Sequence, residues 1–137
     1  MSTRGIIAVT QGADIVGVYH RFESMPCRLG EALLDGLVAL RGDLPAAMDP
    51  WIHNAPGGWS SLVDGQRSTQ GDDLDFWGRR DLADQGWVEW VYLFDERSRT
   101  VSVWRGNPED DARWDEPDEV LTIAANGSAT PPRFSES

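Results

Sequence analysis

The sequence predicts an α+β protein: an antiparallel sheet from two β-hairpins, one main helix packed on a face, and short helices in the middle segment. Three observations lead there. Two β-branched runs, Ile6 to Thr10 and Ile15 to Tyr19, flank a Gln-Gly-Ala-Asp turn and read as a hairpin. A second pair, Trp87 to Phe94 and Arg99 to Arg105, is rich in β-branched and aromatic residues around an Asp95-Glu96-Arg97-Ser98 turn, as strands require. Between them, leucines recur at helical spacing. Strands, a helix and strands again give α+β. At 137 residues one domain is expected, over residues 1–125, with 126–137 as a flexible tail.

In the first hairpin the alternation is imperfect, because Ala8 and Gly17 interrupt it. That implies cover on both faces or a close approach at Gly17. Pro26 suits the first turn of a helix, where its missing N–H costs nothing, and Ser24 or Glu23 is placed to cap it. Leu29, Leu33, Leu37 and Leu40, with Leu34 and Val38, form its apolar stripe. Arg41-Gly42-Asp43 ends it, with Gly42 expected at C′. From Asp43 to Gly86 prolines and glycines break the pattern. Short helices are expected near Leu44–Met48 and Asp72–Asp84, in a segment pinned to the core by Trp51, Trp59 and Trp77.

With a four-residue turn in the second hairpin, Trp90, Tyr92 and Phe94 share a face with Val101 and Val103, and that face should meet the leucine helix. Asn107 to Glu119 is an acidic loop, Val120 to Ala124 an edge strand, and the Gly, Ser, Pro and Thr content from Asn126 onward predicts fraying.

The formal net charge is −11, and all twelve basic residues are arginines. Such a surface disfavours nucleic acid and anionic membrane and favours a cationic partner. One cysteine and two histidines leave neither a disulfide framework nor a zinc cluster, and no cofactor is expected. No apolar run approaches the roughly 20 residues that span a bilayer. The N-terminal MSTRG lacks a signal pattern, so a cytoplasmic protein is the default.

Chemistry-bearing residues gather at one strand end. They are Arg4, which opens the first strand, Tyr19, His20 and Arg21 at the end of the second, and Glu23 and Ser24 just beyond it. A histidine near a carboxylate can act as general acid or base; a salt-bridged helix entry is the structural alternative. An odd hairpin loop would align Arg4 with His20 or Phe22, an even one with Arg21. Two nucleophile candidates lie nearby. Cys27 sits near a helix N-terminus, where thiolates are favoured, and Ser2 would become N-terminal after methionine removal. A binding role rests on other residues: Trp51, Trp59 and Trp114 in loop contexts, and the carboxylates Glu109, Asp110, Asp111 and Asp115. Exposed indoles anchor partners, while carboxylate runs form solvated faces or present charge to a basic groove. No Rossmann glycine pattern, P-loop, HExxH or GxSxG stands in the sequence.

Three short pieces carry a resemblance: Thr3-Arg4-Gly5; His20, Ser24, Pro26 and Leu29-Gly30; and Trp90-Val91-Tyr92 with Asp95. In these the chain resembles a group of small uncharacterised proteins of actinobacteria and their phages, whose pattern is a TRG first strand, then Y-N-H-x-D-S-x-P-x-x-L-G, then W-x-Y-x-x-D. It departs in placing His20 directly after Tyr19 and in having Glu23 where the pattern has aspartate. The resemblance implies an α+β domain and a phage or mobile-element context, and it brings no reaction.

The expected function is therefore protein–protein binding by a small acidic protein, of the kind a phage accessory protein or an inhibitor of a host factor would perform, against a basic protein surface. The alternatives are a small hydrolase centred on Arg4, His20 and Glu23 with Ser2 or Cys27 as nucleophile, and a structural or assembly protein.

Overall fold

In a computed structural model the described residues are 4–55, 57–68, 75–77, 88–105 and 116–135. Among them the chain forms nine strands: β1 (Gly5–Gln11), β2 (Asp14–His20), β3 (Trp59–Ser61), β4 (Gln66–Arg67), β5 (Asp75–Trp77), β6 (Trp90–Asp95), β7 (Thr100–Arg105), β8 (Glu119–Ile123) and β9 (Ala129–Thr130). Two short helices, α1 (Glu31–Ala39) and α2 (Leu44–Met48), are joined to π-helical turns at Pro26–Gly30 and Asp49–His53. Eight strands lie in the order β4-β3-β2-β1-β6-β7-β8-β9, and β5 pairs with β2 on the edge it shares with β3.

This corrects the expected fold class. Both hairpins form, β1 with β2 and β6 with β7, but they join through a parallel pairing of β1 with β6, from Gly5 beside Trp90 to Val9 beside Phe94. β2 and β3 are parallel as well. The result is one mixed, predominantly β sheet, not an antiparallel sheet carrying one main helix. The physical reason lies in β1. Gly5 to Val9 are all buried, because Ile6 and Ala8 face one side and Ile7 and Val9 the other. A strand apolar on both faces belongs in a sheet interior, where it needs a partner on each edge. The long segment between the hairpins supplies the crossover that a parallel pairing requires.

Register then sorts the side chains. Ile7, Val9, Val16, Val18, Trp90, Tyr92, Phe94, Val101 and Val103 face the helices and pack with Leu29, Leu33, Leu34, Leu37, Met48 and Trp51. Ile6, Ala8, Ile15, Val91, Leu93 and Trp104 form a second cluster on the other face. Each fully buried aliphatic or aromatic side chain contributes roughly 1.5–3 kcal/mol relative to exposure, so the helix-side face dominates the core.

Pro26 opens the helical segment as expected, but Ser24 and Glu23 do not cap it; Met25 is the N-cap, without a side-chain bond. At the other end Arg41, not Gly42, falls at C′, and both are left-handed, with φ 54° and 75°. Gly42 follows it and donates to the Leu37 carbonyl at 2.8 Å, the six-to-one bond of a Schellman ending. A side chain at Gly42 would collide with the backbone of Ala124 to Gly127. There the Arg99 guanidinium also ties three carbonyls, those of Gly42, Ile123 and Ala124, at 2.8–3.1 Å.

The middle segment contains α2 at Leu44–Met48, where a helix is expected. For the helix expected over Asp72–Asp84, the described residues Asp75–Trp77 are instead strand β5, and the remainder lies outside the described residues. β8 is not an edge strand, because β9 pairs with it. Fraying from Asn126 is not what residues 126–135 show: Ala129–Thr130 form β9, and the Phe134 ring is buried, 5.7 Å from Tyr92 in an edge-to-face contact.

Candidate functional site

The strand-end corner is assembled around a turn in the backbone. β2 ends at His20, and Arg21 and Phe22 donate to the carbonyls of Trp59 and Ser60 at 2.9 and 3.0 Å. Glu23 then adopts φ 59°, a left-handed conformation that costs a non-glycine residue roughly 1–2 kcal/mol. That turn brings Ser24 back beneath His20, against Gly5. A Cβ at Gly5 would lie 2.8 Å from Ser24 Cβ, so only glycine there leaves room for the serine.

His20 and Ser24 are both fully buried. The Leu62 N–H donates to His20 Nε2 at 2.9 Å. Since an amide N–H can only donate, Nε2 carries the lone pair and Nδ1 carries the proton. Nδ1 therefore donates to Ser24 Oγ at 2.9 Å, and Ser24 Oγ donates onward to the His20 carbonyl at 3.2 Å. The Tyr92 hydroxyl donates to the Ser24 carbonyl at 2.7 Å. Burial lowers the His20 pKa to about 4, so the ring is neutral at pH 7. Burial likewise raises the Tyr92 pKa.

This geometry decides what the corner can do chemically. In a serine–histidine pair built for catalysis, the imidazole accepts the hydroxyl proton. Here the direction is reversed: His20 donates to the serine, and its one acceptor nitrogen is held by a backbone amide. Tyr92→Phe is expected to cost about 1–1.5 kcal/mol of unfolding free energy, since one buried bond is lost while the ring packing stays. Urea unfolding checks it, and an unchanged midpoint would show the bond carries no net stability.

The other residues singled out from sequence are distributed as follows. The hairpin loop has two residues, between Gln11 and Asp14, so Gly5 faces His20. One step further the register carries Arg4 toward Arg21. Arg4 and His20 are therefore on opposite sheet faces, although both line one pocket. Glu23 is not among that pocket's lining residues; its carboxylate pairs with Arg28 at 3.2 Å on the surface, an interaction of the roughly 0–1 kcal/mol class. Cys27 is exposed and not disulfide-bonded. Trp51 is a core residue, 8% exposed and 5.8 Å from the Phe94 ring. Ser2, Trp114, Glu109, Asp110, Asp111 and Asp115 lie outside the described residues. Among the described residues no cluster of His, Cys, Asp and Glu side chains is grouped to hold a metal ion, and no helix is long and apolar enough to cross a membrane.

The pocket itself has a volume of about 230 Å³ and is lined by Arg4, Tyr19, His20, Arg21, Gly57, Trp59 and Ser68. Trp59 is half-buried; its indole N–H donates to the Trp51 carbonyl at 3.0 Å, and the Arg67 guanidinium lies 5.1 Å from its ring centre. Gly58, at φ 75°, lets this loop lie on the β2 backbone, because a side chain there would run into Tyr19. Sequence reasoning gathered Arg4, Tyr19, His20 and Arg21 at one corner and singled out Trp59 separately; it did not join Trp59 to that corner, and it missed Ser68. Ser68 arrives through the β3–β4 excursion and had no local signal.

Fold and site together define a mixed-sheet protein with a structurally committed histidine and a pocket at one sheet end whose described lining is arginine-bearing and aromatic-walled. Comparison with protein-family models, curated proteins and solved structures yields no match.

Proposed function

We propose that this chain is a small acidic protein that acts by binding a protein partner, with the pocket beside Trp59 as its recognition site. The observation that carries the reading is the engagement of His20: both ring nitrogens are hydrogen-bonded within the fold. The most reactive side chain of the corner is thus part of the scaffold, and recognition is the role left to the pocket. A half-buried indole with an arginine on its face is the kind of rigid, amphipathic group that anchors partners. The net charge of −11 favours a partner with a basic surface and speeds encounter with it.

The assembly reading finds less support. Among the described strands the two ends of the main strand order, β4 and β9, are two residues long, too short to template another strand.

The test is affinity purification with the tagged chain and a Trp59→Ala variant, followed by titration of the captured protein, once identified and purified, against both. Binding to the wild type that falls at least tenfold in the variant and weakens as salt is raised through the range where the Debye length shrinks below about 10 Å is the expected result. Equal, salt-insensitive binding by a variant of unchanged circular dichroism would overturn it.

A further inference from the structure

Among the described residues that line it, the pocket carries charge of the sign opposite to that of the molecule. A chain of net charge −11 lines it with two arginines and, among the described residues, no carboxylate. A third arginine, Arg67, stacks on its Trp59 wall. Arg4 and Arg21 come from neighbouring strand ends, one step beyond the Gly5–His20 pair, so the register of the sheet brings like charges together. Each guanidinium carries five donors in a planar fork, so a bond made elsewhere does not exhaust it. Carboxylates and phosphates match that fork in two-point contacts.

Size narrows the ligand. At about 230 Å³ the pocket is smaller than the roughly 300–1,000 Å³ of sites that enclose a whole drug-sized molecule or cofactor. It suits one chemical group that belongs to something larger. Ser68 and the arginine donors supply polar contacts to that group, and Tyr19 and Trp59 supply its aromatic walls.

We infer that the pocket receives an oxyanion, a carboxylate or phosphate group, presented by the protein partner. The inference rests on the binding reading of this same pocket and names what enters it. The partner is then of mixed character: a basic surface that the acidic body attracts, and one anionic group that the arginines clamp. A protein's C-terminal carboxylate and a phosphorylated side chain both offer that chemistry.

Full-length protein labelled with nitrogen-15 provides the readout, through the Trp59 indole N–H and the arginine Nε–H resonances. Phenyl phosphate, benzoate, and a short basic peptide in free-acid, C-amidated and internally phosphorylated C-amidated forms are the probes. Saturable shifts at Trp59 with at least one oxyanion probe, weakened at least tenfold in both Arg4→Gln and Arg21→Gln, are expected. Those two side chains are exposed, so the variants test binding with little demand on folding. Preference for the free-acid peptide identifies a C-terminal carboxylate, and preference for the phosphorylated one a phosphate. No shift with any probe, or shifts unchanged in the glutamine variants, overturns the inference. If the probes fail but Trp59→Ala still abolishes partner binding, the recognition site stands and only its oxyanion chemistry is lost; if Trp59→Ala leaves partner binding intact, the recognition site itself is lost.

Discussion

Replacing His20 by alanine is expected to lower the unfolding free energy by about 3–4 kcal/mol, through the lost ring packing and the stranding of the Leu62 N–H and Ser24 hydroxyl. His20→Gln should cost less, because its amide oxygen can reach the Leu62 N–H that Nε2 now accepts from. The two variants separate a hydrogen-bonding role from simple volume. The wild type should also show a pH dependence that both variants lack. The folded-state pKa is lowered to about 4 from the ordinary 6.5. Between those values the unfolded chain binds the proton and the folded chain does not, so stability rises with pH across this window. The His20 contribution is complete above about pH 6.5 and is lost as pH falls through about 4. At about 1.4 kcal/mol per pH unit it amounts to roughly 3 kcal/mol. Urea unfolding at pH 7 and pH 4.5, for wild type and His20→Gln, measures the difference. An imidazole that titrates near 6.5 in the folded protein by NMR would sink the argument and return His20 to the list of candidate proton acceptors.

Phe134→Ala is expected to cost a further large amount, about 3–5 kcal/mol, the range for removing a buried phenyl ring. The ring is 6% exposed, meets Tyr92 edge-on at 5.7 Å, and lies where a Cβ at Gly30 would touch it at 2.8 Å. It therefore closes the core between the first helical turn and β6. Nearby, the Ser135 N–H donates to Glu119 at 2.8 Å. A frayed tail would predict no change at all in the thermal midpoint, so the outcome is unambiguous. For a domain of this size a loss of 3 kcal/mol should move the midpoint by roughly 10 °C or more.

These two residues also show what can and cannot be read from sequence. The leucine spacing placed the helix, and the β-branched runs placed both hairpins, because periodicity is a local property of the chain. The continuous burial of Gly5 to Val9 was visible as broken alternation. Its consequence, a parallel seam with β6, was not, since nothing local distinguishes a strand with one partner from a strand with two. Phe134 stands in a segment of Gly, Ser, Pro and Thr, where composition argues for disorder; one aromatic ring in the core overrides that average. At the site, Arg4, His20 and Trp59 were legible as chemistry-bearing types. The commitment of His20 was not, because the amide that occupies its Nε2 comes from Leu62, 42 residues away.

The sequence by itself determined the two hairpins, the leucine helix, the acidic balance and the corner where arginine, histidine and tyrosine gather. Only the tertiary structure decided that the hairpins fuse in parallel and that the histidine donates inward to a serine. It also brought Arg4 and Arg21 beside Trp59 in one pocket. Local patterns follow from neighbours along the chain, whereas proton direction, strand partners and pocket walls depend on contacts between residues far apart in it.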